Sequence, residues 1–174
     1  AEGHIRCMRF ILFFLLFIGA VMTQAQPRYS VLIQEIFPDP TPSVGLPNFE
    51  WIEIRNCTDH SLSLQGWRIA DNSGQSSAFP NITLLPDSLL LLASTSAASM
   101  LNSYGRCIGL AGFPSLDNEG ETLILKNALG QIIHAIRYSV NWHQTELKKE
   151  GGWSLEMIDP HHPGLFRSEE HTSE

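Results

Sequence analysis

Polar and apolar residues alternate along residues 49–56, which is the pattern of a β-strand with one buried face. A second run with the same period covers residues 62–71, and the polar residues 56–61 between the two runs have the composition of a turn. We therefore predict that the two runs pair as antiparallel strands. This pair carries no reactive pattern, so we interpret it as part of the architecture.

Gly66 interrupts the second run immediately before a large aromatic residue, Trp67. In an unbroken strand Trp67 would point away from the face that carries Leu62 and Leu64, because successive side chains alternate between faces. We predict a bulge at Gly66 that shifts the register by one residue and turns Trp67 inward. In this interpretation Gly66 and Trp67 serve folding.

The remainder of residues 26–166 has the same pattern of short extended runs separated by turns. The predicted strands are residues 30–37, 82–85, 89–93, 122–125 and 131–138, with a short extended segment at 151–156. Only residues 96–104 have helical spacing. This pattern predicts a single all-β domain, a sandwich or a barrel, with at most one short helix.

Residues 8–25 have the features of a secretory signal peptide: a basic residue after Met8, an almost wholly apolar run, and Ala25 before the cut. We predict cleavage after Ala25 and interpret residues 1–7 as upstream non-native sequence. A bilayer span needs about 20 apolar residues, so an uncleaved anchor is the less favoured alternative. The prediction places the protein in the periplasm, at the cell surface or outside the cell. It touches a membrane only through the signal peptide, before cleavage.

Residues 167–174 resemble the translation of a sequencing-library adapter. In that interpretation the domain at residues 26–166 is truncated at its C-terminal end, and the protein continues beyond it. The alternative is a solvated acidic tail.

The charge balance argues against nucleic acid as a partner. The chain has 11 Lys and Arg against 18 Asp and Glu, a net charge of −7. A surface that follows phosphates needs clustered bases. In residues 26–166 only Lys148 and Lys149 are adjacent.

Two cysteines, Cys57 and Cys107, fall within the predicted mature domain. In an exported protein they either form a disulfide with each other or pair with a cysteine elsewhere in a longer chain. The sequence leaves both alternatives open.

No catalytic or metal-binding motif has the required spacing, and we predict no catalytic residue, metal or cofactor. The oxygen-rich residues 71–74 and 117–120 are interpreted as tight turns and not as calcium loops. His60, His134 and His143 are interpreted as surface histidines. Trp142 and Trp153 lie in loop-like surroundings, so they are either binding aromatics or caps on the ends of the sandwich.

Several phrases of the sequence occur together in one known family. Residues 50–54 (Glu-Trp-Ile-Glu-Ile) and 64–71 (Leu-Gln-Gly-Trp-Arg-Ile-Ala-Asp) resemble the lamin tail domain family in its secreted bacterial form. Residues 84–91, 116–125 and 151–156 follow with the family's later phrases in the right order. The residues that carry this motif are Glu50, Trp51, Ile52, Glu53, Gly66, Trp67, Asp71, Asn118 and Gly120.

The resemblance implies an immunoglobulin-like β-sandwich of antiparallel strands. It also implies a binding or tethering role, since bacterial members are often joined to other domains. Our leading hypothesis is a non-catalytic module of a longer exported bacterial protein, with an unknown protein or surface ligand as its partner. The alternative is the anchoring domain of a secreted hydrolase whose catalytic domain lies in downstream sequence.

Overall fold

The computed structural model describes residues 26–160 and 163. The predicted signal peptide at residues 8–25, the upstream residues 1–7 and the predicted adapter-derived residues 167–174 lie outside this part of the chain. Of the predicted domain organisation, the described residues therefore cover only the β-rich domain that begins at residue 26.

Within the described residues the chain forms ten short strands. In chain order they are β1 (Val31–Phe37), β2 (Trp51–Asn56), β3 (Leu62–Ser63), β4 (Arg68–Ala70), β5 (Thr83–Leu84), β6 (Leu89–Ser94), β7 (Cys107–Leu110), β8 (Thr122–Lys126), β9 (Ile132–Arg137) and β10 (Leu155–Glu156). The helices are α1 (Thr95–Leu101) and α2 (Glu146–Lys149), with a 3-10 turn at Val140–Trp142. None of the helices in the described ranges is long and apolar enough to span a bilayer.

Two sheets enclose one core. The large sheet has the strand order β10-β1-β2-β6-β7, and the small sheet has the order β4-β8-β9, with β3 and β5 forming a separate pair. Ile54 and Leu92 of the large sheet share a buried apolar cluster with Ile69 and Leu125 of the small sheet. The predicted all-β sandwich is thus confirmed.

The pairing that we predicted between residues 49–56 and 62–71 is wrong. Strand β2 is hydrogen-bonded to β1 on one side and to β6 on the other, so neither of its edges is open to a third strand. Residues 62–71 instead divide into β3, which pairs with β5, and β4, which pairs with β8. The turn at residues 57–61 therefore leads from the large sheet to the opposite layer.

A turn at Gly66, not a bulge within a strand, separates β3 from β4. Gly66 has φ +82°, and a Cβ at this position would lie 3.0 Å from the Cβ of Ala128. Trp67 is 2 % exposed and lies in the same core cluster as Leu62 and Leu64. The inward direction of Trp67 therefore comes from a change of chain direction, which left-handed glycine permits.

The fold also departs from an all-antiparallel sandwich at one edge. Strands β6 and β7 are parallel, and α1 makes the crossover between them. The helix approaches closely because Gly109 in β7 has no side chain: a Cβ there would lie 2.9 Å from the Cα of Thr95. We predicted this helix but not the strand β7.

His134, which we interpreted as a surface residue, is fully buried between β9 and β1. The backbone N–H of Ile33 donates a 2.9 Å hydrogen bond to its Nδ1. Ile33 lies at a register irregularity of β1, where the regular ladder breaks, and the imidazole provides an acceptor there. Burial lowers the pKa of His134 to about 4, so the neutral ring is the stable form.

The interpretation of His143 as a surface residue is also wrong, because it is 6 % exposed.

Cys57 and Cys107 are free thiols, so the disulfide alternative is wrong for this structure. Cys57 directly follows β2, whereas Cys107 begins β7, and β6 lies between these strands. Two strand spacings separate their backbones by roughly 10 Å, which exceeds the Cα separation of about 7 Å that a disulfide can bridge.

Candidate functional site

Three glutamates form a row across the outer face of the large sheet. Glu156 of β10 is the cross-strand partner of Glu35 in β1, and Glu35 is in turn the partner of Glu53 in β2. The row continues on β6, where Leu91 is opposite Glu53. Side chains that are directly opposite lie on the same face of a sheet. This row is therefore acidic on β10, β1 and β2, and it becomes apolar on β6.

A second row, directly beside the first, is apolar and covered. Phe37 is opposite Trp51, and Trp51 is opposite Ala93. The rings of Phe37 and Trp51 stack at 5.5 Å with an interplanar angle of 25°. Leu101 of α1 packs on this row as part of the same buried cluster. The helix therefore covers the apolar row and stops short of the glutamates.

The proline-rich loop of residues 38–47 forms the other wall, and a pair of glycines fixes its position. Gly152 donates a 2.7 Å backbone hydrogen bond to the carbonyl of Asp39. A Cβ on Gly151 would collide with the carbonyl oxygen of Thr41, and both glycines have positive φ. The Gly-Gly segment before Trp153 thus acts as a clamp on the loop.

Between the loop and α1 lies a groove with a narrow slot at its inner end. The slot has a volume of about 200 Å³, and Glu35 and Glu53 provide its acidic side. Its remaining lining is apolar or aromatic: Leu46, Pro47, Trp51, Leu91, Leu101 and Tyr104.

A shallower depression of about 500 Å³ extends the slot outward. It shares Leu46, Pro47 and Tyr104 with the slot, and it adds Met100 on the helix side. Met100 and Tyr104 are 56 % and 59 % exposed, so this end of the groove presents large apolar side chains to solvent.

The electrostatics of the slot are unfavourable for a charged Glu53. Burial, together with the negative charges of Glu35 and Glu156, raises the pKa of Glu53 to about 7. No cation and no hydrogen-bond donor contacts the Glu53 carboxyl within residues 26–160 and 163. No contact within the described residues therefore offsets the cost of ionising this half-buried carboxyl.

Glu50, the other glutamate of the motif, has a structural role at one end of the sandwich. Its Oε2 accepts a 3.1 Å hydrogen bond from the backbone N–H of Leu116. Burial raises its pKa, and Glu121 and Asp39 add to the effect. Glu50 therefore fixes the loop before β8 and does not line the groove.

Asp71, Asn118 and Gly120 lie outside the groove as well. The Asp71 carboxylate accepts hydrogen bonds from the backbone N–H groups of Ser73 and Gly74, which closes a tight turn. Gly120 has φ +122°, and a Cβ there would collide with the carbonyl of Tyr138. Asn118 is exposed. Among the described residues, no group of three or more His, Cys, Asp or Glu is arranged to hold a metal ion.

Neither candidate binding tryptophan is fully exposed. Trp142 is partly buried and packs against the main core. Trp153 is also partly buried, and Nζ of Lys148 lies 4.9 Å from its ring centroid. Met100 and Tyr104 are large exposed side chains that line the groove, and we did not single them out, since helical spacing explained both. Leu129 is likewise exposed and lines a separate depression together with Trp67 and Asn127.

One known family accounts for both the order of the motifs and the two-layer fold. A model of the Lamin Tail Domain family matches residues 24–140, which is more than half of the chain. The chain belongs to the lamin tail domain family. This confirms the resemblance and, with the two-layer structure, the immunoglobulin-like fold of the family. No curated protein is significantly similar to the chain.

The position of Glu53 in this lamin tail domain predicts a pH-dependent stability. Its folded-state pKa of about 7 lies above the ordinary value of 4.5. The folded protein therefore binds this proton more tightly than the unfolded chain does. The resulting stabilisation is complete below pH 4.5 and is lost as the pH rises through 7. Glu53→Gln should then be more stable than the parent by about 1–2 kcal/mol above pH 8, allowing for solvent screening.

The measurement is urea denaturation of parent and variant at pH 4.5, 6 and 8. The matched control is Glu119→Gln, because Glu119 is an exposed glutamate in the loop before β8. The parent and Glu53→Gln should have nearly equal stability at pH 4.5, and the control should follow the parent throughout. A variant that is less stable than the parent at pH 8 would contradict the assignment.

Proposed function

We propose that this lamin tail domain is a non-catalytic binding module of an exported bacterial protein, and that it binds a segment of another protein in the groove between α1 and the proline-rich loop. The groove is the observation that carries the proposal. Its family supports it, since immunoglobulin-like domains of this kind are generally non-catalytic.

The surface chemistry of the groove suits a protein partner. Single exposed apolar side chains are normal on soluble proteins, whereas exposed apolar side chains grouped around a cavity are typical of interaction sites. Met100 and Tyr104 are such a group, and Leu46 and Pro47 of the proline-rich loop line the same depression. Tyrosine and methionine are also enriched at protein interfaces.

The size of the groove favours a chain segment over a small metabolite. Pockets for small molecules usually have about 300–1,000 Å³ of enclosed volume. The slot has only about 200 Å³ and is partly open to solvent, and the larger depression of about 500 Å³ is shallow. One side chain fits the slot, while the rest of a segment lies in the open groove.

Export is supported by the sequence of residues 8–25, with its basic start, apolar run and small residue before the cut. After export, the groove would be exposed to partner proteins outside the cytoplasm. The net charge of −7 also favours a protein partner over anionic lipid or nucleic acid.

A peptide-display selection tests the binding site. Random peptides are selected on the parent domain, and their affinities are then measured for Met100→Ser, Tyr104→Ala and Ile132→Ser. Ile132 is the control, because it is also an exposed apolar residue but lies at the start of β9 in the small sheet and lines neither part of the groove. Selected peptides should bind the two groove variants about tenfold more weakly and the control unchanged. Equal binding to all three variants would contradict the groove as the site.

The mass of the exported product tests the other half of the proposal. Expression from Met8 in a bacterial host should release a periplasmic protein that begins at Gln26. A product that retains residues 10–22 would contradict cleavage at this position. Recovery of the product only from the cytoplasm would contradict export.

A further inference from the structure

Among the described residues, the charged side chains that line the slot at the inner end of the groove are both glutamates. Glu35 and Glu53 lie side by side on neighbouring strands, and Glu156 is next in the same row. The lining of the slot contains no Lys, Arg or His among the described residues. An anionic group is therefore repelled from the slot. A cation is attracted to it, and the Glu53 carboxyl offers acceptor oxygens that no donor of the described chain occupies.

The apolar walls restrict which cation fits. The apolar lining comes from Leu91 of β6, Leu101 of α1, and Leu46 and Pro47 of the proline-rich loop. Tyr104 also lines the shallower depression. A small hydrated ion gains nothing from such walls. A basic side chain with an aliphatic stem gains on both counts, because the stem packs on the walls while the charged end reaches the carboxylates.

Arginine suits the slot better than lysine does. Its guanidinium is planar, binds two carboxylate oxygens at once, stacks on aromatic rings and is less strongly hydrated than an ammonium group. The slot offers the two oxygens of the Glu53 carboxylate at its acidic end and the exposed aromatic ring of Tyr104 in its lining. Desolvation is the main obstacle for a half-buried pair, and it is smaller for arginine.

We propose, resting on the binding function proposed above, that the slot takes an arginine side chain from an extended segment of the partner protein. The guanidinium binds the Glu53 carboxylate, and the apolar residues that flank the arginine in the partner pack on Met100 and Tyr104. The slot thus selects a basic residue within an apolar segment, and the open groove supplies the remaining contact area.

The test uses three acetylated and amidated tripeptides that differ only in the central residue: Leu-Arg-Leu, Leu-Lys-Leu and Leu-citrulline-Leu. Citrulline has nearly the shape of arginine but no charge. The affinity of each peptide for the isotope-labelled protein is measured by NMR titration at pH 8, where Glu53 is ionised in the free protein. We expect the arginine peptide to bind about tenfold more tightly than the citrulline peptide, and more tightly than the lysine peptide. The largest shifts should occur at Glu53, Trp51 and Tyr104.

Glu53→Gln is the decisive variant, and it remains folded because it removes an unfavourable charge. It should abolish the preference for arginine over citrulline, whereas the exposed control Glu119→Gln should keep it. Equal affinity of the three peptides for the parent would overturn the arginine assignment. The groove would then still stand as the site if Tyr104→Ala weakens all three peptides. Saturable binding that is insensitive to both Glu53→Gln and Tyr104→Ala, or no shift at millimolar peptide, would overturn the slot as a recognition site.

Discussion

The structure depends on the burial of strand β2 on both faces. Ile52 and Ile54 point into the core between the sheets, while Trp51 points to the outer face and is covered by α1. Because side chains alternate along a strand, the same register that buries the two isoleucines must place Glu53 on the outer face. That face is largely covered, so the carboxyl of Glu53 is half-buried as a direct result of how the core is built.

This position of Glu53 lowers the stability of the folded state, and the packing of the core does not require a carboxyl there. A half-buried carboxylate beside two others, with no cation of the described chain in contact, lowers the stability of the folded state. An apolar residue of similar size would remove the penalty. Local conflicts with stability are typical of functional sites. The same face has an open groove whose walls are fixed by the Gly151–Gly152 clamp and by the approach of α1 to Gly109. A binding role accounts for both features, since a bound cation offsets the charge.

The sequence predicts the individual strands and turns of this fold better than it predicts which strands pair with each other. Local sequence patterns predict β1, β2, β8 and β9 and the turn before β3, because each depends on a short stretch of chain. These patterns do not predict which strands pair. Periodicity indicates which side chains of one strand share a face, but it does not indicate which other strand is hydrogen-bonded to it. The parallel edge of β6 and β7 depends on the close approach of α1 to Gly109, which no periodicity reveals. His134 was misjudged for a similar reason, since its partner is the backbone of Ile33, far away in sequence.

The candidate site could be predicted only in part. The family phrases identified both Glu50 and Glu53 as residues of the motif. The neighbours that raise the pKa of Glu53 are Glu35 and Glu156, and they come from distant strands whose register the sequence does not specify. Met100 and Tyr104 follow a helical pattern that suggests burial, whereas the end of a short helix leaves both at the surface.

The titration of the Glu53 carboxyl, followed by carbon-13 NMR in the free protein and with saturating Leu-Arg-Leu peptide, tests the proposed role of this residue most directly. We expect a pKa of about 7 for Glu53 in the free protein. In the complex its pKa should be markedly lower, because a bound guanidinium favours the charged carboxylate. An ordinary pKa near 4.5 that does not change when the peptide binds would contradict both the electrostatics of the slot and its role in recognition.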